Sequence, residues 1–324
     1  MRPLKRVALG AGLLLAASLG MTAVRAEDYP ARPIRVVVGF GPGAVADVIL
    51  RVMTNRMSQS LGQQLVVENR PGAGSSLGAE YVSRAPKDGY TLLMCTVAQT
   101  INPAMNNLSF DFGKDFAPIA LVANAPQILV AHPSFPANNM RELIALAKAQ
   151  PEGVQYASSG AGTMSHLSGV LLNSAAGIKL QQIPYPGSAQ SMTDVLAGRV
   201  PLMFGPAATV WSNVQAGKLK ALAVTQPTRA AIAPDVPTMV EAGVEGYSAG
   251  IWMGLLAPAG TPRDIVEKLS RAANDALKST EVLAVLEKQG VDPLGGSPDE
   301  FQRYIDAELA KWAEVVRVSG VKAR

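Results

Sequence analysis

Apolar and polar positions along this chain fall into repeating blocks, most of which read as a buried strand followed by an amphipathic helix. The first block runs from Ile34 to Met57: an apolar run (IRVVV), a glycine-proline turn (GFGPGAVAD) and a helical continuation (VILRVMTNRM). Val45, Ile49, Val52, Met53 and Met57 fall on one helical face, while Gly39, Gly41 and Gly43 leave backbone N–H groups uncovered by side chains. Such a helix start suits an anion. Gln64 to Gly78 (QLVVENRPGAGSSLG) repeats the plan, with a helix expected from Leu77 to Ala85. Two such units about 30 residues apart place two loops side by side at the carboxyl edge of a parallel sheet, where ligands bind.

The alternation continues. A third strand (Tyr90 to Met94) runs into a polar loop, CTVAQTINPAM, and Phe116 to His132 is extended and apolar for longer than one ordinary strand, which reads as a crossing into a second domain. There a helix (Met140 to Ala149) and a strand (Val154 to Ala157) lead to a third glycine turn, SSGAGTMSHLSGVLL. Its Ser158, Ser159, Gly160 and Gly162 supply N–H and hydroxyl donors, with Thr163 placed as an N-cap and Gly177 ending the helix. A strand (Ile178 to Pro184), the loop YPGSAQ, a helix (Ser191 to Ala197), a strand (Val200 to Phe204), the loop GPAAT and a strand (Leu219 to Thr225) follow. Tyr247 to Pro258 carries the chain back. Helices then start at Thr261, Pro262 and Asp264, and at a capping box of Ser297 and Glu300 ahead of Phe301, Ile305, Leu309, Trp312 and Val316; they are expected to brace the first lobe. The expected fold is α/β with two hinged lobes, each a mostly parallel sheet flanked by helices: 27–122 with 248–324, and 123–247.

Ahead of this pattern, Arg2, Lys5 and Arg6 precede the apolar run Val7 to Leu19, and Val24, Arg25 and Ala26 offer a small-residue cleavage site. Residues 1–26 therefore read as a secretory signal, with a mature chain beginning near Glu27 in the periplasm. No later stretch reaches about 18 uninterrupted apolar residues. The leader's four basic residues account for the whole net charge of +4. The remainder is balanced, which gives no support for nucleic-acid binding. The single cysteine, Cys95, lies in an apolar setting and is expected to be a buried strand-end thiol.

Candidate chemistry is sparse. The two histidines, His132 and His166, lie in different elements with no ligand-spaced cluster, so neither a metal nor any other cofactor is expected. No nucleophile elbow, Walker loop or HExxH motif is present, and His166 reads either as a structural histidine or as a ligand contact. A dinucleotide site is the competing enzymatic reading: Gly39, Gly41 and Ala44 satisfy G-x-G-x-x-[GA], and Glu68 stands where a ribose-binding acid would. Against it are the leader, the proline inside the turn and the lack of a hydride-transfer acid/base pair. What the loops do offer is N–H donors at helix starts, each worth about 0.3–1 kcal/mol to an anion, together with hydroxyls. Arg70 is the cation placed in such a loop, read equally well as a surface arginine.

At these loops the sequence resembles the Bug-type receptors of tripartite tricarboxylate transporters. The resemblance rests on YPARPIRVVVGFGPG with Asp47, VVENRPGAG, PKDGYTLL, INPAM, KDFAPIALVA, YASSGAGTMSHLSG, IPYPGSAQ with Asp194, LKALAVT, PDVPTMVEAG and GLLAPAGTP. It implies a type II periplasmic binding protein fold and a monomeric, non-catalytic receptor that closes on a small organic acid and presents it to membrane permease subunits. It further implies a ligand held among Phe40, Gly41, Pro42, Gly43 and Ala44, then Gly72, Ala73, Gly74 and Ser75, then Thr96, Val97 and Gln99. From the second lobe it adds Ser158, Ser159, Gly162 and Thr163, with Tyr185 and Gly187; His166 and Pro206 stand beside these loops as further candidate contacts. Main-chain donors and bridging waters would engage one carboxylate, and Asp47 would organise the first turn or a water.

Two departures matter. The family turn usually carries two adjacent glycines and a threonine before the aspartate, whereas this chain has Gly43, Ala44, Val45 and Ala46. Where the family often has Asp or Asn after Met203 and Phe204, this chain has Gly205 and Pro206. Both remove polar groups, so an aromatic or longer aliphatic carboxylate is expected, with Trp252, Tyr185 or Phe40 as ring contacts; packing at the hinge is the competing reading of Trp252. The same fold would also serve a ligand-sensing partner of a signalling system.

Overall fold

A computed structural model describes residues 29–160, 162–185 and 187–319; the expected leader lies outside them. In chain order the elements are β1 (Ile34–Val38), α1 (Val45–Leu61), β2 (Leu65–Asn69), α2 (Ser76–Ser83), β3 (Thr91–Thr96), α3 (Ala98–Met105) and β4 (Phe116–Ala125). The chain crosses at Pro126 into β5 (Gln127–Ala131), α4 (Met140–Ala149), β6 (Val154–Ser158), α5 (Met164–Ala176), β7 (Leu180–Pro184), α6 (Ser188–Leu196), β8 (Leu202–Pro206), α7 (Ala207–Gln215) and β9 (Lys220–Val224). It returns through β10 (Ile251–Pro258) to α8 (Arg263–Leu277), α9 (Thr280–Lys288), β11 (Asp292–Pro293) and α10 (Pro298–Ser319).

The described strands form two sheets, ordered β11-β4-β10-β3-β1-β2 and β7-β6-β8-β5-β9. Parallel pairs flank β1 and β6. β10 runs antiparallel to β3 and β4, and β5 antiparallel to β8 and β9. Apart from the short β11, the two orders are the same, and the opposed strand in each sheet is the one reached by crossing from the other lobe. The first crossing falls inside the expected stretch, but the boundary expected at 122 moves to 125, because β4 stays paired with β10 through Ala125 and Ile251.

Burial explains why β1 is apolar except at the exposed Arg35. Ile34, Val36 and Val38 pack with Ile49, Met53 and Met57 of α1, Leu269 of α8 and Leu286 of α9. Val37 faces the other way, into a core that includes Phe301 and Trp312 of α10 and continues into the second lobe through Leu167, Tyr156 and Phe204. A third cluster, with Ile128, Met203 and Val224, covers the far face of the second sheet. Buried Cys95 donates to the Gly254 carbonyl (3.2 Å), and burial pushes its thiol pKa up.

Several expectations need correcting. CTVAQTINPAM is not a loop: β3 extends to Thr96 and α3 follows, with Pro103 inside it. GPAAT is not a loop either, because β8 runs through Pro206 and α7 begins at the next residue. Val45 is 40% exposed and so lies off the apolar face, whereas Ala46 and Asp47 beside it are buried. α10 packs against α5 as well as α3 and β4, so it bridges the lobes rather than bracing the first alone.

Trp252 is fully buried between β10 and α10, edge-on to Phe301 and Tyr304, which settles its role as packing and removes it from the ring contacts. Its indole N–H and that of Trp312 both donate to the buried Glu308 carboxylate (2.8 and 2.9 Å). Glu308 also pairs with Lys311, which donates to the Ser248 carbonyl (2.8 Å). A second polar link joins the lobes where Gln226 donates to Asp292 of β11 (2.7 Å), which accepts from the Ala231 N–H (3.2 Å).

A Cβ at Gly254 of β10 would sit 2.2 Å from Cζ of the buried Phe301. Gly254→Ala is therefore expected to cost about 1–3 kcal/mol by overpacking, read as a lower urea midpoint; an unchanged midpoint would contradict this packing.

Candidate functional site

Among the described residues, six helices start at the carboxyl ends of parallel strands: α1, α2 and α3 in the first lobe, α5, α6 and α7 in the second. First-turn N–H groups have no partner within their own helix, and in none of the six does the N-cap side chain supply one, although Thr96 Oγ1 accepts from the Ala98 N–H at the start of α3 (3.2 Å). Away from this edge, Asn139 caps α4 by accepting from the Glu142 N–H (2.9 Å), and α10 has the expected Ser297–Glu300 box. α8 and α9 are uncapped too, so it is the convergence of six starts that distinguishes the edge.

The first turn of each lobe uses one device. Gly43 (φ 85°) donates its N–H to the Asp47 carboxylate (2.9 Å), and Gly162 (φ 74°) donates its N–H to Nδ1 of His166 (3.1 Å). Ala44 and Thr163, the N-cap residues, turn back onto the carbonyls of Gly41 and Gly160 (3.3 and 3.4 Å). Both turns thus follow one frame, G-x-G-x-x-x-acceptor, over 41–47 and 160–166. It resembles a capping box in which the third helical residue reaches back one position further.

Thr163 stands at the expected N-cap, but its hydroxyl donates to the Gly160 carbonyl (2.7 Å) rather than accepting from the helix start. Asp47 is buried and accepts from Asn69 (2.8 Å) and Arg51 (3.0 Å) as well. Burial pushes its pKa up, but the hydrogen bonds from Arg51, Gly43 and Asn69 outweigh this and hold it below the ordinary carboxylate value. That geometry agrees with a turn-organising Asp47. Burial of His166 lowers its pKa below the ordinary 6.5 and keeps the ring neutral.

The second turn is strained. Gly72, Ala73, Gly74 and Ser75 have successive positive φ values of 131°, 47°, 61° and 71°, a conformation that costs an ordinary residue about 1–2 kcal/mol. Two helical side chains hold it: Asn102 donates to the Gly74 carbonyl (2.8 Å) and Ser76 hydroxyl (2.9 Å), and Gln99 donates to the Ser75 hydroxyl (2.6 Å). Gln99 in turn accepts from the Thr96 N–H (2.8 Å). The first two turns touch, since a Cβ at Gly39 would lie 2.4 Å from Cβ of Ser75, and Asn69 donates to the Phe40 carbonyl (2.9 Å). Ser75, Thr96, Val97 and Gln99 are buried, with Phe40, Gly41 and Ala44 half-buried and Pro42, Gly43, Gly72, Ala73 and Gly74 exposed.

In the second lobe, buried Ser158 accepts from Gln182 (2.7 Å) and from the Gly160 N–H (3.3 Å). Ser159 meets the Ser165 hydroxyl through both its N–H and its Oγ (2.9 Å each). Tyr185 donates its N–H to the Ser158 carbonyl (2.9 Å) and its hydroxyl to Asp194 (2.7 Å). Gly187 and Pro206 are the N-cap residues of α6 and α7. The buried Gly205 has no room for a side chain, because a Cβ would lie 2.3 Å from Val210. The two lobes meet where a Cβ on Gly162 would come 2.8 Å from Cε of Met105 at the end of α3.

Arg70 is neutralised by Glu68 (2.5 Å) and stacks over the Tyr81 ring (3.6 Å). Glu68 also pairs with Arg35 (3.2 Å), so the acid needed for a dinucleotide ribose is already committed. Asn69, Arg51, Asn102 and Met105 escaped sequence reading. Asn69 and Asn102 carried a signal nonetheless, as amide side chains flanking a glycine turn and a helix proline.

Protonating Nδ1 of His166 removes the acceptor for Gly162. Because the folded pKa lies below the ordinary 6.5, the neutral ring's contribution to stability is complete above pH 6.5 and is lost as pH falls through the lowered folded value. The melting temperature should fall more steeply on acidification below pH 6.5 in the wild type than in His166→Gln; parallel calorimetric curves would contradict this assignment.

Over residues 49–321 the chain matches the family described as tripartite tricarboxylate transporter family receptor, TctC. It is 34% identical over 316 residues to BugT of Bordetella pertussis, covering 97% of each chain. Among solved structures it is similar to R. palustris Rpa4515 with adipate, at 33% identity and a TM-score of 0.71, covering 91% of this chain and 99% of that one. MatC (Rpa3494) from Rhodopseudomonas palustris with bound malate gives 31% identity and a TM-score of 0.68, covering 89% of this chain and 100% of that one. With its paired sheets and these relatives, the chain belongs to the Bug-type TctC receptors, a family of periplasmic solute-binding proteins.

Proposed function

We propose that this receptor captures a small organic carboxylate between its lobes, holds it through main-chain N–H groups, and hands it chemically unchanged to the permease subunits of a tripartite tricarboxylate transporter. It would act as an exported monomer without a cofactor. The observation that carries the reading is that six helix starts, three from each lobe, lie at the carboxyl edges of the two sheets without a bond from an N-cap side chain, and that the Gly162 turn of the second lobe meets Met105, the last residue of α3, in the first. Each start contributes about 0.3–1 kcal/mol to an anion, and more where partly buried. Nearby cations are already spent on acids: Arg51 on Asp47, Arg70 on Glu68 and Arg199 on Asp194. Backbone donors are therefore left to hold the charge.

Adipate and malate in the two solved relatives are both dicarboxylates, which supports an acidic ligand. Ala44, the exposed Val45, the crowded Gly205 and Pro206 bring no polar side chain to the edge. That favours a ligand with an apolar middle, an aromatic or longer aliphatic acid, over a hydroxylated one. Half-buried Phe40 and Tyr185 are the ring contacts in this reading.

A thermal-shift screen of mono-, di- and aromatic carboxylates is expected to raise the melting temperature by several degrees for the cognate acid. At a hundred times its dissociation constant, binding adds about 2.7 kcal/mol. A shift with NAD or NADP and with none of the acids would contradict the reading. Gly41 and Gly187 each have open space where a Cβ would go, and Gly187 is extended (φ 172°). Gly41→Val and Gly187→Val should therefore fold normally yet crowd the donors and weaken the acid at least tenfold, about 1.4 kcal/mol by calorimetry; unchanged affinity would remove those turns from the site.

A further inference from the structure

The two equivalent turns differ at the acceptor. In α1 that acceptor is Asp47, and both oxygens are taken: Oδ2 by Gly43 and Arg51, Oδ1 by Asn69 and Arg51. In α5 the acceptor is His166, and an imidazole has two nitrogens. Accepting the Gly162 N–H at Nδ1 fixes the tautomer, so the neutral ring carries its hydrogen on Nε2. No described residue accepts from Nε2. Among the described residues, Asn124 Oδ1 is the fully buried side-chain polar atom that lacks a partner. The ring is only 7% exposed, so its Nε2–H is a largely desolvated donor left without an acceptor among the described residues.

The ring stands in the first turn of α5, and Gly162, which it braces, faces Met105 of the opposite lobe. The Tyr156 hydroxyl donates to the His166 carbonyl (2.9 Å), and a Cβ at Gly169, one turn on, would collide with the Tyr156 ring at 2.3 Å. The helix is thus fixed against β6 and cannot rotate the imidazole away. Bracing the turn needs only an acceptor, which an aspartate supplies in the other lobe. The imidazole adds a rigid, uncharged donor.

We propose that Nε2–H of His166 donates a hydrogen bond to the bound acid from the second lobe, making His166 a specificity residue for ligands with an acceptor group at the end that meets this lobe. The inference rests on the carboxylate-binding reading above. An uncharged donor discriminates a second carboxylate or carbonyl from an ammonium or methyl end, because only the former can accept.

The test uses the full mature chain with adipate as probe. His166→Asp copies the device of the first lobe, keeping an acceptor for Gly162 and removing the donor. His166→Gln keeps an uncharged acceptor and controls for the added charge. Both should fold at pH 7.5 with melting temperatures near the wild type, while adipate weakens at least tenfold in His166→Asp and by less in His166→Gln. A purely structural histidine would not give the second readout, the ring 15N spectrum. With two histidines in the chain, His132→Gln assigns it. Adipate should move the His166 Nε2–H resonance and leave Nδ1 unprotonated. Adipate binding with both ring nitrogens unmoved and with His166→Asp binding as wild type would overturn the inference alone. Failure of adipate and every other carboxylate to bind the wild type would overturn the carboxylate reading, and this inference with it.

Discussion

The donation from a glycine N–H to the side chain three residues into the following helix is the interaction on which the site depends. A strand that feeds a helix through a tight turn leaves several N–H groups unsatisfied, and without a brace the turn collapses onto itself or frays. Asp47 and His166 each absorb one such N–H and lock the turn, so that the remaining N–H groups hold a fixed direction. Asn102 and Gln99 do the same for the strained run at Gly72 to Ser75. Donors fixed before a ligand arrives lose little entropy on binding, which is the advantage the proposed carboxylate site would draw from these braces.

Duplication of that device is possible because the two sheets share one strand order, and the shared order comes from the double crossing. Each lobe sends one opposed strand into the other's sheet: β5 from the first, β10 from the second. A common apolar core under α10 and α5 holds them together. The chain passes between the sheets at Pro126 and just ahead of Ile251. The polar links from Gln226 to Asp292 and from Lys311 to Ser248 lie beside those passages.

Much of this was legible in the residues. The run IRVVV, its glycine turn and the helix after it were plain because a strand buried on both faces is apolar at nearly every position, here at all but the exposed Arg35. Phe116 to His132 could be read as a crossing because it is too long for one strand. α3 was not legible, because Pro103 argues against a helix and only tertiary contacts from Asn102 and Gln99 favour it. Trp252 looked available to a ligand because a sequence does not show that Glu308, more than fifty residues on, will take its indole N–H. Arg70 looked like a cation for an anion, although its partner Glu68 stands two residues away on the same face of an extended chain, a pairing that strand periodicity already implied. The repeated frame at 41–47 and 160–166 was visible in outline, but that an aspartate and a histidine play the same part in it emerges only from their shared bond to a glycine N–H.

Amide chemical-shift mapping with a bound dicarboxylate tests the central claim most directly, because it reports on the N–H groups themselves. The account predicts the largest changes at Gly41 to Asp47, Ala73 to Ser76 and Ser159 to His166, in both lobes at once, with little change at the capped start of α4. Changes confined to one sheet, or strongest at α4 and α10, would contradict it.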